Sequence, residues 1–396
     1  MPRIKPLESP VTIELDGEQL PARAGEPVAV ALIAHGEQIF ARSPKYHRPR
    51  GPYCLDGGCS QCLMRVDGVP NVATCRTAVK PGMRLERQNA MPDGRLDLLR
   101  ANDFIFRDWF NHHEFLAGVP LAEAVLLKVA RQLSGLGVLP EREAPAREPA
   151  AIEHVKTVLV GAGVAGSAAA QELRRRGVDF VHFERDASSA ARRGEVVGLF
   201  ADDGRPFLAV VEAERLHLVF YEQALLAMGA HAMLPTFPNN DLPGVMAGRA
   251  VATLIREHGV LPGARIACVG DAEEAKALAA LVGEAGGEAL AVGEEVVRAH
   301  GLRAVDAITT RPGGKTSCDV IACCGVASPS FELARAAGAP VRWHPGHRCF
   351  VVEADAAGRT AVPGLFVAGE MCGPMSPAAA VEQGTAAAAA LAEVRS

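Results

Sequence analysis

The sequence predicts an α/β fold in two parts: a small β-grasp domain near the amino end, followed by a shortened domain with two Rossmann-like dinucleotide-binding modules. Three observations in the 396-residue sequence lead to this prediction. The first is a set of four cysteines between residues 54 and 75. The second is a glycine-rich turn after an apolar run that ends at residue 160, and the third is a repeat of the same strand–turn–helix plan after residue 264.

Composition and charge narrow the class of protein. The apolar fraction of 49% and the length suit an α/β enzyme of two or three domains. The net charge of -5 gives no reason to expect nucleic acid or an anionic membrane as a partner. Because no apolar run reaches about 18 residues and no secretory signal is recognisable, we expect no membrane span and a cytoplasmic location. The ten cysteines are then expected to be thiols or metal ligands.

Residues 1–92 are expected to form the β-grasp domain. The alternating apolar run from Val11 to Leu20 contains an Asp-Gly turn, which predicts a hairpin. Pro27 then opens a short apolar helix over residues 28–34. Two further strands are predicted on either side of a second Asp-Gly turn, at residues 63–66 and 71–74. This order of elements is typical of a ferredoxin-like fold.

The four cysteines Cys54, Cys59, Cys62 and Cys75 are the candidate metal ligands. Their spacing repeats the C-x4-C-x2-C…C pattern by which plant-type ferredoxins hold a 2Fe-2S cluster. The two glycines between the first two cysteines can adopt positive φ and bring backbone N–H groups close to the sulfur atoms. A zinc site more often uses two C-x2-C pairs, and only one is present here. The pattern favours the iron–sulfur cluster over zinc, disulfides or buried thiols.

A cation-rich loop, residues 42–51, lies between the helix and the cysteines. Its prolines exclude a helix. Two interpretations stay open: a solvated surface loop, or a site for a phosphate-bearing cofactor or an acidic partner.

Residues 93–150 are expected to form a helical connector and a linker. Apolar residues recur with helical periodicity up to residue 137, and a proline- and charge-rich stretch follows. The adjacent His112 and His113 cannot face one site on a helix, so a surface or interface role is favoured over metal binding.

The glycine-rich turn after the strand at residues 156–160 predicts a dinucleotide site. Gly161 permits the tight turn, Gly163 lets a pyrophosphate approach the backbone, and Gly166 lets the following helix pack on the strand. The helix then presents free N–H groups to the phosphates. Glu184 ends the next predicted strand, where an acidic side chain accepts hydrogen bonds from the adenosine ribose.

The second module, residues 251–317, follows the same plan without the glycines. Only the first of the three glycines, Gly270, is present, and carboxylates stand at Asp271, Glu273 and Glu274. Their repulsion with a pyrophosphate argues against a nicotinamide dinucleotide at this site. We expect a retained scaffold with little or no affinity for NAD(P)H.

Several motifs resemble a known family. The segment RSPKYHRPRGP at residues 42–52, with Pro70-Asn71-Val72 and Gln88-Asn89, resembles the N-terminal domain of the α subunit of heterotetrameric sarcosine oxidase. The relatives of that subunit include α subunits of opine oxidases, hydroxyproline and proline dehydrogenases, and hydrogen cyanide synthase. The sarcosine oxidase domain lacks the cysteines, whereas all four positions are filled here, as in the relatives that carry the cluster.

The C-terminal third resembles the two-dinucleotide-binding flavoproteins, with residues 151–250 and 318–396 forming the first module. There the strand equivalent to residues 360–370 ends in Gly-Asp, whose carboxylate meets the flavin ribityl chain. Here a Gly-Glu pair stands instead, and the next helix starts at Ser376 or Pro377. The resemblance implies FAD, NAD or an adenine nucleotide at this site. The candidate cofactor-binding residues are Gly161, Gly163, Val164, Ala165, Gly166, Glu184, Arg185, Gly229, Gly369, Glu370 and Ser376.

Two further expectations concern the shape of this site. The insertion between Glu184 and Gly229 is shorter than is usual in such flavoproteins, which predicts an open or shallow cofactor site. The remaining cysteines are expected to be small buried side chains, except that Cys372 can also line the cofactor pocket.

The resemblance implies an electron-transferring α subunit of a flavin-dependent amine or imino-acid dehydrogenase. A partner β subunit containing FAD would oxidise the CH–NH bond, and electrons would pass through FAD and the 2Fe-2S cluster here to an acceptor. A small additional subunit and an FMN at a subunit interface are also implied. Two alternatives stay open: an NAD(P)H-dependent ferredoxin-type reductase, and a scaffold subunit that only binds a nucleotide.

Overall fold

The computed structural model describes residues 3–43, 46–90, 97–101, 148–186, 191–213, 215–325, 327–346 and 348–394. Most of the predicted connector, including His112 and His113, lies outside these ranges, as do Pro44 and Lys45 of the cation-rich loop. None of the helices within these ranges is long and apolar enough to cross a membrane.

The strands are β1 Pro10–Leu15, β2 Glu18–Arg23, β3 Ala41–Arg42, β4 Pro49–Arg50, β5 Leu63–Val66, β6 Val69–Ala73, β7 Arg84–Glu86, β8 Ala151–His154, β9 Thr157–Val160, β10 Val181–Glu184, β11 Arg192–Arg193, β12 Glu195–Asp202, β13 Arg205–Glu212, β14 Arg215–Phe220, β15 Gln223–Leu226, β16 Ala230–Ala232, β17 Val245–Ala247, β18 Arg265–Gly270, β19 Glu288–Leu290, β20 Glu295–His300, β21 Ala307–Arg311, β22 Gly314–Ser317, β23 Val320–Cys324, β24 Ala327–Pro329, β25 Val341–His344, β26 Cys349–Val352 and β27 Leu365–Val367. The α-helices are α1 Val28–Ala34, α2 Val164–Arg175, α3 Gly248–Arg256, α4 Ala272–Glu284, α5 Glu332–Ala336 and α6 Pro377–Glu393, and 3-10 turns span Leu98–Arg100 and Gly369–Cys372.

The chain divides into two compact units, each built from two stretches of sequence. One unit contains residues 1–143 and 232–326, and the other contains residues 144–231 and 327–396. The first unit therefore holds the β-grasp domain together with the second dinucleotide-type module. The second unit holds the glycine-rich turn and the C-terminal helix.

The β-grasp part of the first unit is a five-stranded sheet in the order β2-β1-β7-β5-β6. The predicted hairpin is confirmed, with Ile13 opposite Leu20 across β1 and β2. The predicted helix α1 is also confirmed, and all of its residues are buried against the sheet because its sequence is entirely apolar.

The other part of the first unit is a parallel sheet in the order β17-β23-β18-β19, with α3 and α4 as its helices. Strand β23 pairs with both β17 and β18. From the sequence, this strand, within residues 318–325, is expected in the first module. The structure differs because the pairing partner of a uniformly buried apolar strand is decided by long-range packing, which local sequence does not encode.

The second unit is organised around a parallel sheet in the order β11-β10-β9-β15-β27. Helix α2 follows β9 and starts at Val164, directly after Gly163 of the glycine-rich turn. The short insertion between Glu184 and Gly229 folds into the antiparallel strands β12, β13 and β14, and β8 joins them as the fourth strand.

The strand predicted before Glu370 is shorter than expected. Only Leu365–Val367 is strand, and Gly369–Cys372 forms a 3-10 turn. The strand ends there because Gly369 adopts a φ of +74°, outside the β region. The acidic residue at position 370 thus lies on a turn beyond the carboxyl end of β27.

Candidate functional site

The four predicted cluster ligands converge in the first unit. The Cys54 thiol hydrogen-bonds with those of Cys59 and Cys75, and the Cys62 thiol hydrogen-bonds with that of Cys75. Three of the four are buried, and Cys59 is half-buried. The three contacts join all four sulfur atoms in the order 59, 54, 75 and 62, and a two-iron cluster requires four thiolates. The donor set therefore fits a 2Fe-2S cluster.

The backbone of the cysteine loop is shaped to bring these thiols together. Leu55, Gly57 and Ser60 all adopt positive φ, at 56°, 93° and 54°. The Asp56 carboxylate accepts a hydrogen bond of 2.8 Å from the amide of Gly58. Left-handed conformations at two non-glycine residues are costly, and such strain is commonly found at ligand-binding loops.

Hydrogen bonding among the thiols also shifts their pKa values. Hydrogen bonds from Cys59 and Cys75 hold the pKa of Cys54 far below that of an ordinary thiol. A hydrogen bond from Cys75 lowers the pKa of Cys62 to about 7, against the effect of burial. The same hydrogen bonds raise the pKa values of Cys59 and Cys75, so the four thiols hold their protons jointly, and metal binding would release the protons that remain.

Tyr53, next to the first cysteine, fixes the cysteine loop to the second module within the same unit. Its carbonyl accepts a hydrogen bond of 3.0 Å from the amide of Ala247, at the end of β17. Its hydroxyl donates to the carbonyl of Met233. Burial raises the pKa of Tyr53 well above its usual value, so the hydroxyl stays protonated and remains a donor.

The cation-rich loop is paired internally. His47 is buried, and its Nδ1 lies 2.9 Å from a carboxylate oxygen of Asp97. The buried Arg42 lies beside the same carboxylate. Arg48 and Arg50 both face Asp241, at 3.8 and 3.3 Å. Arg42 and His47 are thus buried, whereas the side chains of Arg48 and Arg50 stay partly exposed, and both interpretations of the loop stay predictions.

The glycine-rich turn of the second unit forms an open cradle. Gly161 adopts a φ of +99°, and a Cβ on it would overlap the carbonyl of Ala227. A Cβ on Gly166 would overlap the carbonyl of Gly161. At Gly163 no atom lies within 4 Å of a Cβ position, and no side chain caps the helix that it precedes. The helix start therefore presents backbone amides to a space that a phosphate can enter.

Two side chains of β10 hold this turn in place. Glu184 accepts a hydrogen bond of 2.5 Å from the amide of Ala162, so its carboxylate lies at the cradle as predicted. His182, which sequence reasoning missed, places Nε2 2.8 Å from the carbonyl of Gly161. Burial lowers the pKa of His182, so the ring is neutral and Nε2–H donates. Its place two residues before Glu184 was the only signal in the sequence.

The predicted C-terminal residues lie beside the same cradle. A Cβ on Gly369 would lie 2.8 Å from that of Ala165, and a Cβ on Gly229 would lie 3.7 Å from a carboxylate oxygen of Glu370. The amide of Gly369 donates to Gln383, a residue that the sequence analysis did not single out. These residues meet because the carboxyl ends of β9, β15 and β27 lie at one edge of the sheet.

The remaining candidates have mainly local partners. Ser376 caps α6 by accepting a hydrogen bond of 3.2 Å from the amide of Ala379. Arg185 faces Asp186 at 3.3 Å, while Val164 is exposed at the helix start. Cys372 is half-buried and hydrogen-bonds with Gln383, so its thiol lies close to the Gly369 turn.

Two regions of the chain match known domain families. Residues 8–90 match the 2Fe-2S iron-sulfur cluster binding domain, and residues 159–198 match the NAD(P)-binding Rossmann-like domain. Hydrogen cyanide synthase subunit HcnA of Pseudomonas aeruginosa is 39% identical over 87 residues, which cover 22% of this chain and 83% of that relative. The four-thiol loop therefore lies within a 2Fe-2S cluster binding domain.

The wider chain is similar to larger proteins. Sarcosine oxidase subunit alpha of Rhizobium meliloti is 26% identical over 458 residues, covering 96% of this chain. The chain spans 46% of the length of that relative. The crystal structure of L-proline dehydrogenase from P. horikoshii superposes with a TM-score of 0.74 at 20% identity, covering all of this chain and 75% of that one, which shows a shared fold. The chain is therefore sarcosine oxidase α-like along most of its length, and it carries a 2Fe-2S domain that is similar to HcnA.

Proposed function

We propose that this chain is the electron-transferring subunit of a multi-subunit, flavin-dependent amine or imino-acid dehydrogenase. A partner subunit with its own flavin oxidises the CH–NH bond, and this chain receives the electrons and passes them to an acceptor. The observation that carries the proposal is the presence, in one chain, of a four-thiol loop and an open glycine-rich phosphate cradle.

The names of the similar proteins support the substrate class. Two of them are named as subunits, one of sarcosine oxidase and one of hydrogen cyanide synthase. The similar solved structure is an L-proline dehydrogenase. Sarcosine and proline are both secondary amino acids, with a C–N bond next to a carboxylate. We therefore propose a small amine or imino acid as the substrate of the complex.

We propose FAD as the cofactor of the first module. The cradle at Gly163 and the start of α2 would hold its pyrophosphate, and Glu184 would accept hydrogen bonds from the adenosine ribose. Glu370, beside Gly229, would face the ribityl chain. When bound, FAD supplies the exchange between two-electron and one-electron chemistry, and the 2Fe-2S cluster supplies a one-electron carrier.

The proposal is tested by purifying the chain anaerobically, alone and together with whatever subunit co-purifies with it. We expect about two irons per chain, a paramagnetic signal on reduction, and FAD in the acid extract. The isolated chain should show no amine dehydrogenase activity, and the complex should show it. An extract that contains NAD or an adenine nucleotide in place of FAD would contradict the cofactor assignment, and robust turnover by the isolated chain would contradict the division of labour.

A pair of matched cysteine variants makes the cluster assignment specific. Cys62→Ala removes a buried thiol from the loop, whereas Cys349→Ala removes a buried thiol from β26. We expect loss of iron and of electron transfer to the acceptor only in Cys62→Ala, because a three-thiolate set leaves one iron without its ligand. Equal iron content in both variants would contradict the assignment.

A further inference from the structure

The two dinucleotide-type modules differ at the start of the helix that would face a phosphate. At α2 the N-cap residue is Gly163, with no side-chain cap and no acidic residue in the first turn. At α4 the N-cap residue is Asp271, whose carboxylate accepts hydrogen bonds of 3.2 and 3.0 Å from the amides of Glu273 and Glu274. Those amides are the groups that a pyrophosphate uses in an intact module. In α4 they are already occupied.

A second carboxylate links the first turn of α4 to the end of a strand in the same sheet. Glu274, in the first turn of α4, accepts a hydrogen bond of 2.6 Å from the amide of Gly325, directly after β23. A Cβ on Gly325 would overlap the Cβ of Asp271, so the end of β23 lies against the start of α4. Nucleotides bind at the carboxyl ends of the strands in open α/β sheets, and here that crevice is bridged by the chain itself.

The charge of these carboxylates acts on the neighbouring strand end. Burial raises the pKa of the Cys324 thiol, and Glu274 and Asp271 add to this effect. The carboxyl end of β23 therefore lies in the negative field of two carboxylates. A pyrophosphate would have to displace two hydrogen-bonded carboxylates and would meet their repulsion if they stayed.

We propose that Asp271 and Glu274 form an internal carboxylate latch that stands in place of a pyrophosphate and excludes NADH and NADPH from the second module. The latch makes the module a fixed support for the β-grasp domain, with no entry point for reducing equivalents from pyridine nucleotides. This inference concerns the second module alone and does not depend on which cofactor the first module holds.

The test compares the number of NADH and NADPH molecules bound per full-length chain, measured by isothermal titration calorimetry. The opened variant combines Asp271→Gly and Glu274→Ala, which free the helix amides and remove both charges, with Ala272→Gly, which supplies the glycine that lets a pyrophosphate approach the backbone. Ala272→Gly alone keeps both carboxylates and should bind no more nucleotide than the wild type. Glycine is tolerated at an N-cap, so α4 should still form. We expect the opened variant to bind one more equivalent than the wild type. Glu273→Gln is the matched control: it removes a charge from the same turn, where Glu273 pairs only with Lys276 among the contacts described, and should bind no additional nucleotide.

Circular dichroism and iron content establish that each variant is folded. Should the opened variant fail to fold, Asp271→Gly together with Ala272→Gly frees the two amides, keeps the Glu274 contact with Gly325, and is expected to give a weaker additional site. A folded opened variant with the same stoichiometry as the wild type overturns the latch. So does NADH-dependent protection of the Glu273 and Glu274 amides from hydrogen exchange in the wild-type chain.

Discussion

At the scale of single residues, two glycines of the phosphate cradle are required for folding, and a third is required only for cofactor binding. Gly161 and Gly166 leave no space for a Cβ, whereas Gly163 has a φ of -65° and open space around the Cβ position. Gly163→Ala should therefore leave the free energy of unfolding of the nucleotide-free chain within about 0.5 kcal/mol of wild type. It should still reduce the retained cofactor severalfold, because the methyl group occupies the path of the phosphate. Gly161→Ala should lower the free energy of unfolding by about 1–3 kcal/mol or more.

The measurement is chemical denaturation of the nucleotide-free variants together with cofactor content after purification. If Gly163→Ala retained its cofactor fully, the phosphate would not approach this residue.

A second residue-scale prediction concerns acid stability. Glu153 on β8 accepts hydrogen bonds of 2.7 and 2.8 Å from Arg192, which lower its pKa to about 2, and His217 lies 2.6 Å away. Because the folded pKa is below the unfolded value of 4.5, this contribution to stability is fully present above pH 4.5 and is lost as the pH falls through about 2. Glu153→Gln should lower the free energy of unfolding by about 1–3 kcal/mol at pH 7.

Unfolding of the wild type and of Glu153→Gln, measured from pH 7 to pH 3, checks this. The difference between them should shrink at acid pH, since protonation removes the same charge. Glu148→Gln is the control, because the exposed pair that Glu148 forms with Arg215 should be worth less than about 1 kcal/mol. If the difference in the free energy of unfolding did not depend on pH, Glu153 would stabilise the fold through packing and not through its charge.

At the scale of elements, the sequence was informative wherever a turn is determined locally. The hairpin β1–β2, helix α1 and the unit β9–α2–β10 follow from Asp-Gly turns, a proline start and spaced glycines, and the structure has all of them. The pairing of β23 with β17 and β18 and the contact of Glu274 with a residue 51 positions away could not be predicted. Both depend on which surfaces meet after folding, and no local pattern records that choice.

The packing of α2 against α6 gives the element-scale prediction. A Cβ on Gly384, in α6, would overlap the carbonyl of Ala165, in α2, so the two helices approach closely only because residue 384 is glycine. Gly384→Ala should lower the melting temperature and loosen the cofactor site. Gly283→Ala, in α4, is the matched control: nothing lies within 4 Å of its Cβ, and the gain in helix propensity should raise stability by up to about 1 kcal/mol.

Thermal unfolding of both variants, with cofactor retention at a fixed temperature, tests this pair. Gly384→Ala at or above the wild-type melting temperature would mean that the helices can move apart without cost.

At the scale of the whole molecule, the first unit ties the cluster to the second module through one continuous apolar core. This core includes Ile13 and Met64 of the β-grasp sheet together with Val245 and Ile266 of the parallel sheet. The β-grasp domain is thus a part of a larger compact unit, although it precedes the second module by more than a hundred residues in the sequence. Residues that share one core are expected to open together.

Loss of the cluster should therefore increase local opening in the second module. In Cys62→Ala, the cysteine loop loses the metal that orders it, and the hydrogen bond from the Ala247 amide to the Tyr53 carbonyl weakens with it. Hydrogen exchange at Ala247 should become at least tenfold faster than in Cys349→Ala, while the amides of β9 in the other unit serve as an internal reference and should change little. Tyr53→Phe keeps the carbonyl and should leave exchange at Ala247 close to wild type. Unchanged protection of Ala247 in iron-free protein would show that the second module keeps its structure without the cluster. The two parts of the first unit would then be in contact without being energetically coupled.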